Sequence, residues 1–168
     1  MENSSQHIRF LVMDVDGTLT DGKIYMGQGG ELFKAFDTHD GYAIKEMLPK
    51  LNIVPVIITA RESAIVANRA KELNVTELYQ GCRNKLAKLN TILSVFSEKD
   101  GCAYTLANVA YIGDDLLDLQ CLVPVRDAGG VAACPADVAE EVRSVATYIC
   151  ARNGGNGAVR DLVEHLYS

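Results

Sequence analysis

A chain of 168 residues suits one domain of ordinary size, and 48% hydrophobic residues supply a core without disulfides. Lys and Arg number 16 against 22 Asp and Glu, a formal charge of −6, which excludes a non-specific nucleic-acid binder because that needs a basic surface. Cys82, Cys102, Cys121, Cys134 and Cys150 are scattered without a C-x-x-C, no apolar run approaches the roughly 18–20 residues of a membrane span, and the polar stretch 1–7 lacks a signal-peptide core, so a cytoplasmic protein with reduced thiols is expected.

Residues 8–13 are a compact apolar run that stops at acids, which predicts a buried strand. Over residues 23–36, Tyr25, a Gly27-Gln28-Gly29-Gly30 turn and then Leu32, Phe33 and Phe36 predict a hairpin. A short helix is expected over 41–48, ended by Pro49. Residues 53–58 form a second apolar strand, and the spacing of Ile65, Val66, Arg69, Ala70 and Leu73 predicts a helix over 62–73. A short strand at 77–79 precedes a helix over 84–96, where Leu86, Leu89, Ile92, Leu93 and Phe96 share one face. Another strand, 109–112, again stops at acids and leads into a short helix at 116–122. Weaker strands at 130–133 and 147–149 flank a helix near 136–145, and a Gly154-Gly155-Asn156-Gly157 cluster precedes a last helix at 158–166. Strands apolar on both faces and alternating with helices predict a three-layer α/β sandwich. Its sheet would be mostly parallel and Rossmann-like, in one domain over 1–168 with the hairpin as an appendage.

In such sheets ligands bind at the carboxyl ends of the strands. Asp14 and Asp16 follow the first strand, Thr59, Ala60 and Arg61 the second, and Gly113, Asp114 and Asp115 a later one, with Asp118 one turn on and Lys85 opening a helix. Asp14, Asp16 and Asp114 in one cleft would repel one another unless a cation sat among them, and an all-carboxylate set without His or Cys favours Mg²⁺. A carboxylate is a possible nucleophile toward a phosphoryl group, and a second carboxyl two residues on can protonate the leaving alkoxide and then deprotonate water. Thr59, backbone N–H groups and Lys85 would hold the phosphoryl oxygens.

The set Asp14-Val15-Asp16-Gly17-Thr18, Thr59, Lys85 and Gly113-Asp114-Asp115-x-x-Asp118 resembles the four motifs of the haloacid dehalogenase superfamily of phosphatases. That resemblance implies Asp14 as nucleophile and Mg²⁺ ligand, and Asp16 as acid/base with a backbone carbonyl on the metal. It further implies Thr59 and Lys85 on the phosphoryl group, Asp114 completing the metal site, and Asp115 and Asp118 as supports for metal waters or for Lys85. Neither the gap from Asp14 to Thr59 nor that from Thr59 to Lys85 holds a cap domain, so the site of one subunit would be open and a neighbour is the candidate cover. The strings around Asp16–Gly22, 36–41, 57–61, 79–81, 110–116 and 154–160 are similar to the capless sugar-acid phosphatases. Membership there implies hydrolysis of a 3-deoxy-2-keto sugar-acid phosphate, a homotetramer whose hairpins build a central barrel and whose sites lie at subunit interfaces, and a glycine-rich tail able to close over the site. Arg61 resembles the eight-carbon, octulosonate branch, with the nine-carbon nonulosonate 9-phosphates as the alternative; Arg61 could pair with a sugar-acid carboxylate, and Arg69 could reach a neighbour's substrate. Ala60 stands where the second motif commonly has Gly, and Asn84 where Asp often precedes the motif Lys.

Two other classes compete. Receiver domains also combine clustered Asp, Thr and Lys, but there the acceptor Asp ends a middle strand, and here that strand ends in Thr59. A non-catalytic oligomerisation module of a nucleotide-sugar pathway fits poorly with an intact acid set. His7, His39 and His165 show no ligand spacing.

Overall fold

A computed structural model describes residues 8–168; the polar stretch 1–7, with His7, lies outside the described residues. Six parallel strands form the main sheet in the order β5-β4-β1-β6-β7-β8: Glu77–Tyr79, Val54–Ile58, Phe10–Met13, Val109–Ile112, Val131–Cys134 and Tyr148–Ile149. The central strand β1 pairs with β4 through Phe10–Val54 and with β6 through Phe10–Val109, so all three end level with one another. Successive side chains of a strand point to opposite faces, and here both faces are buried. Leu11, Met13, Ile57, Ala110 and Ile112 pack into one core, and Phe10, Val12, Val56, Ile58, Val109 and Tyr111 into the other. The α/β sandwich with a parallel sheet is therefore as expected, and so is the separate antiparallel hairpin of β2 (Tyr25–Gly27) and β3 (Gly30–Phe33).

Several helix boundaries differ from expectation, among them the end of the helix expected over 84–96, which runs on to Asp100. The first helical run begins three residues early because Asp37 caps it, accepting from the His39 and Asp40 N–H groups. It comprises α1 (Thr38–Tyr42), one π turn (Ala43–Met47) and α2 (Leu48–Lys50), so Pro49 does not end it. Proline lacks an N–H and crowds the carbonyl four residues back, and a wide turn just before it relieves both demands. Helix α5 (Leu119–Asp127) likewise runs past the predicted end and through Pro124, because Cys121, Leu122 and Val125 are all buried. By contrast the helix expected near 136–145 shrinks to α6 (Glu140–Arg143), where only Val142 is buried. The remaining helices are α3 (Ala64–Glu72), capped by Ser63, α4 (Lys85–Asp100), capped by Asn84, and α7 (Ala158–Tyr167). Among the described residues no helix is long and apolar enough to cross a membrane.

Helix α7 starts at Gly157, which has no side chain to cap it. Buried Asp40 substitutes from α1: its Oδ1 accepts the Arg160 N–H at 2.8 Å. Burial raises the Asp40 pKa from 3.8 to about 6, against the Arg160 and Gly157 N–H groups that favour the carboxylate. Because the folded-state pKa exceeds the unfolded one, the folded protein holds a proton that the unfolded chain releases. This contribution is full below about pH 4 and is lost as pH rises through about 6. In Asp40→Asn the amide oxygen keeps the cap without titrating. Urea unfolding should show wild type losing up to about 3 kcal/mol relative to this variant between about pH 4 and pH 7; parallel profiles would refute the burial assignment.

Candidate active site

The three central strands stop at polar residues on one edge of the sheet, and the loops beyond them interlock. Asp14 follows β1, its N–H donating to Ile112 O at 3.1 Å. The loop after it is tied by Thr20, whose Oγ1 accepts from the N–H groups of Gly17 and Gly22 at 3.2 Å each. Thr59 follows β4 and is buried, with its N–H on Tyr79 O and its carbonyl accepting from Cys82 N–H, both at 2.9 Å. That second bond sets the loop that opens α4, so Lys85 enters the site from the first turn of the helix.

Lys85 is 1% exposed, and its Nζ lies 3.0 Å from Asp14 Oδ1 and 2.8 Å from Asp118 Oδ1. Burial alone would lower its pKa, but Asp14 and Asp118 outweigh that and raise it, so the ammonium is held charged. Asp118 is a hub: Oδ1 also accepts the Tyr111 hydroxyl at 2.6 Å, and Oδ2 accepts the N–H groups of Asp114 and Asp115 at 3.0 and 3.2 Å. Burial, reinforced by Asp118, raises the Tyr111 pKa well above its usual value, which keeps it a donor. Asp115 caps the turn Leu116–Asp118 and thereby aims Asp118 inward.

One ammonium faces three carboxylates. Asp14, Asp114 and Asp118 bring oxygens within 4.8 Å of one another, a spacing that suits a metal ion. Asp118 already accepts four hydrogen bonds, the capacity of a carboxylate. Asp14 and Asp114 retain open oxygens. Burial, with Asp118 adding to it, raises Asp14 to a pKa of about 7, partly offset by Lys85. Burial and then Asp14 raise Asp114 to about 8. Two hard-oxygen groups that cannot both ionise comfortably are a good fit to a divalent cation. Glycine makes their approach possible: a Cβ on Gly17 would stand 1.9 Å from Asp114 Oδ2, and one on Gly113 would stand 2.4 Å from Asp118 Cγ.

Above this cluster a cleft of about 160 Å³ is lined by Asp14, Asp16, Thr59, Ala60, Arg61, Lys85, Asp115, Leu117 and Asp118. Asp114 sits beneath it, where the Thr18 hydroxyl donates to its Oδ1 at 3.4 Å. Arg69 is elsewhere: its guanidinium meets Glu72 at 2.9 Å and Asp37 O at 3.4 Å, stacked over Phe36. The glycine-rich stretch packs against the back of the first loop, with Gly155 N–H on Thr18 O at 3.0 Å and no room for a Cβ at Gly154 against Gly17 O.

Sequence reasoning missed four residues of the site. Tyr111 offered a signal, because a Tyr inside an otherwise aliphatic buried strand must find a partner for its hydroxyl. Thr18 stands inside the first motif, with no role of its own legible there. Lys34 and Glu31 of the hairpin gave no signal. Lys34 Nζ lies 2.6 Å from Asp16 Oδ1 and 3.0 Å from Glu31 Oε2, and Arg61 approaches Asp16 Oδ2 at 3.9 Å and Glu31 at 3.6 Å.

No protein-family model matches the chain. The 3-deoxy-D-manno-octulosonate 8-phosphate phosphatase of Escherichia coli is 40% identical over 162 residues, covering 96% of this chain and 80% of that protein. The enzyme of the same name from Yersinia pestis is 38% identical over 158 residues, covering 94% and 79%. Among solved structures, the phosphatase of that name from Moraxella catarrhalis, in complex with magnesium, phosphate and a KDO molecule, has a TM-score of 0.82 at 39% identity, covering 97% of this chain and 87% of that one. A cobalt-bound form from Haemophilus influenzae has a TM-score of 0.83 at 30% identity, covering 98% and 90%. A parallel sheet ending in this acid–lysine cluster, with only a hairpin and a helical run between β1 and β4, is the arrangement of a capless haloacid dehalogenase-type phosphatase. Within that superfamily, the chain belongs to the 3-deoxy-D-manno-octulosonate 8-phosphate phosphatase family.

Gly17 has φ +90°, so Gly17→Ala adds backbone strain as well as displacing Asp114. We expect a folded protein by circular dichroism whose kcat/KM for p-nitrophenyl phosphate falls by about 100-fold or more. Unchanged turnover would show that Asp114 is not needed where it stands.

Proposed function

We propose that this protein hydrolyses 3-deoxy-D-manno-octulosonate 8-phosphate to the free sugar acid and phosphate through a phospho-aspartyl intermediate on Asp14. The observation that carries the mechanism is the Lys85 ammonium buried between Asp14 and Asp118 at the floor of an open polar cleft. Family membership carries the substrate.

Asp14 attacks phosphorus with its free carboxylate oxygen, the bond from phosphorus to the sugar oxygen breaks, and Asp16 gives that oxygen its proton. Water then attacks the same phosphorus, Asp16 takes the proton back, and the bond to Asp14 breaks to release phosphate. Thr59 and Lys85 hold the phosphoryl oxygens as charge shifts onto them. The Asp14 and Asp114 carboxylates and the Asp16 backbone carbonyl are the groups that would hold Mg²⁺. Bound there, the ion would supply positive charge that offsets the repulsion between the carboxylates and the phosphate oxygens. Asp118 and Asp115 support this set, Asp118 by fixing Lys85. Arg61, half-exposed at the cleft mouth, would pair with the carboxylate of an eight-carbon acid.

The open cleft calls for a cover, and the hairpin exposes Met26, Leu32 and Phe33, so we assign the protein to a homotetramer whose neighbours complete each site. In such an assembly Arg69 would serve a neighbour's cleft. The unpaired, scattered cysteines favour a reducing compartment, and we assign the enzyme to the cytoplasm.

Two measurements test this reading. Wild type with Mg²⁺ should turn over octulosonate 8-phosphate and form an acid-stable phosphoprotein on quenching, and Asp14→Asn should do neither. A higher kcat/KM for a nonulosonate 9-phosphate would overturn the substrate and spare the mechanism. Because Asp14 and Asp114 titrate near 7 and 8 without metal, protons compete with the cation below those values. Mg²⁺ affinity by calorimetry should therefore rise roughly 500-fold from about pH 6 to pH 8. A flat profile would remove these two carboxylates from the metal site.

A further inference from the structure

Lys34 belongs to none of the motifs, yet it makes a short ion pair with a cleft acid. Its side chain is 2% exposed, and Nζ sits 2.6 Å from Asp16 Oδ1. We propose that Lys34 is a positioning residue that fixes the Asp16 carboxyl, so that Oδ2, and not Oδ1, exchanges protons with the substrate oxygen and with water.

The inference rests on Asp16 being the acid/base of the reaction above. An Asp carboxyl turns easily about its last torsion and offers two equivalent oxygens. Holding one of them selects the other. Lys34 holds Oδ1, and Oδ2 is left toward Arg61 Nε at 3.9 Å, on the side where Thr59, Ala60 and Arg61 line the cleft. Lys34 is itself anchored. Glu31 Oε2 lies 3.0 Å from its Nζ, and Glu31 Oε1 accepts the Ser63 hydroxyl at 2.9 Å. Ser63 is the N-cap of α3, and its N–H donates to Gln80 Oε1 at 2.8 Å. A chain of contacts thus runs from the body of the protein through the hairpin to one oxygen of Asp16. A simple rivet for the hairpin would not need this chemistry, since a buried ion pair stabilises no better than well-packed apolar groups. The geometry is explained when the direction of the Asp16 carboxyl matters.

In the first step the Oδ2–H bond breaks as the proton moves to the leaving oxygen. That proton is needed most for poor leaving groups. The test is kcat/KM, which reports the reaction through phosphoryl transfer to Asp14, across phosphate monoesters from p-nitrophenyl phosphate to alkyl phosphates. Lys34→Met should lower kcat/KM about 100-fold for alkyl esters and only a few-fold for the nitrophenyl ester, a steepening shared with Asp16→Asn. Lys34→Arg should restore the shallow wild-type slope. Should the Met variant fail to fold, Lys34→Gln carries the same two outcomes. Equal losses on all esters, or none, would overturn the proposal. Wild type active, with Asp16→Asn steepening the slope and Lys34 variants leaving it alone, would refute the role of Lys34 while sparing the mechanism. Wild type inactive on every ester would refute the mechanism itself.

Discussion

Everything at the catalytic edge depends on one buried ammonium. Lys85 is almost wholly removed from water between two carboxylates, and an unpaired charge in that position would be very costly. The surrounding loops are arranged to keep it paired. Asp118 faces Lys85 because Asp115 caps the turn that carries it, because two backbone N–H groups hold its other oxygen, and because Tyr111 rises from the sheet to meet it. Asp14 faces Lys85 because β1 ends level with β6. The pairing therefore couples three strand ends and one helix start. Still, Lys85 neutralises only part of the acid cluster, and the raised pKa values of Asp14 and Asp114 measure the remainder. A site with this residual charge is stable as built only when protons or a cation complete it.

The crowding that brings these groups together has a second consequence in the glycines. Gly17 admits Asp114, Gly113 admits Asp118, and Gly154 lies against the Gly17 carbonyl. The glycine-rich stretch before α7 is thus a packed support behind the first loop. Its backbone is tied to Thr18 and its Gly154 N–H to Asp137. Asp40 then links the start of α7 to α1. The tail, the first loop and the first helix form one body, and any movement of the tail over the cleft would have to break those bonds.

Much of this was legible in the sequence because it obeys short-range rules. The strands announced themselves as apolar runs, since both faces are buried, and each stopped where Asp14, Thr59 and Asp114 begin. The acids and their order followed from strand ends, and Lys85 from the start of a helix. Less legible were features decided by packing at a distance. Pro49 and Pro124 are strong local stop signals, but the neighbours buried around Leu48 and Leu122 keep both helices going. Arg69 shares the helical face of Val66 and Ala70, and there its side chain lies over Phe36 and reaches Asp37 O, partners about thirty residues away that no local rule specifies. The docking of the hairpin onto Asp16 had no local signature at all, because a Lys and a Glu in a hairpin ordinarily face water.

The hairpin inverts the usual pattern of a surface hairpin. Its polar side chains Glu31 and Lys34 turn inward to the cleft, and Met26, Leu32 and Phe33 stand outward. Strict alternation is broken here: the adjacent Leu32 and Phe33 both stand outward, and Glu31 and Lys34 on either side of them both turn inward. The apolar outer face is the reverse side of the polar inner one. A neighbouring subunit that covered the outer face would lock the register that holds Lys34 on Asp16. Assembly and acid/base geometry would then be two effects of the same pair of strands.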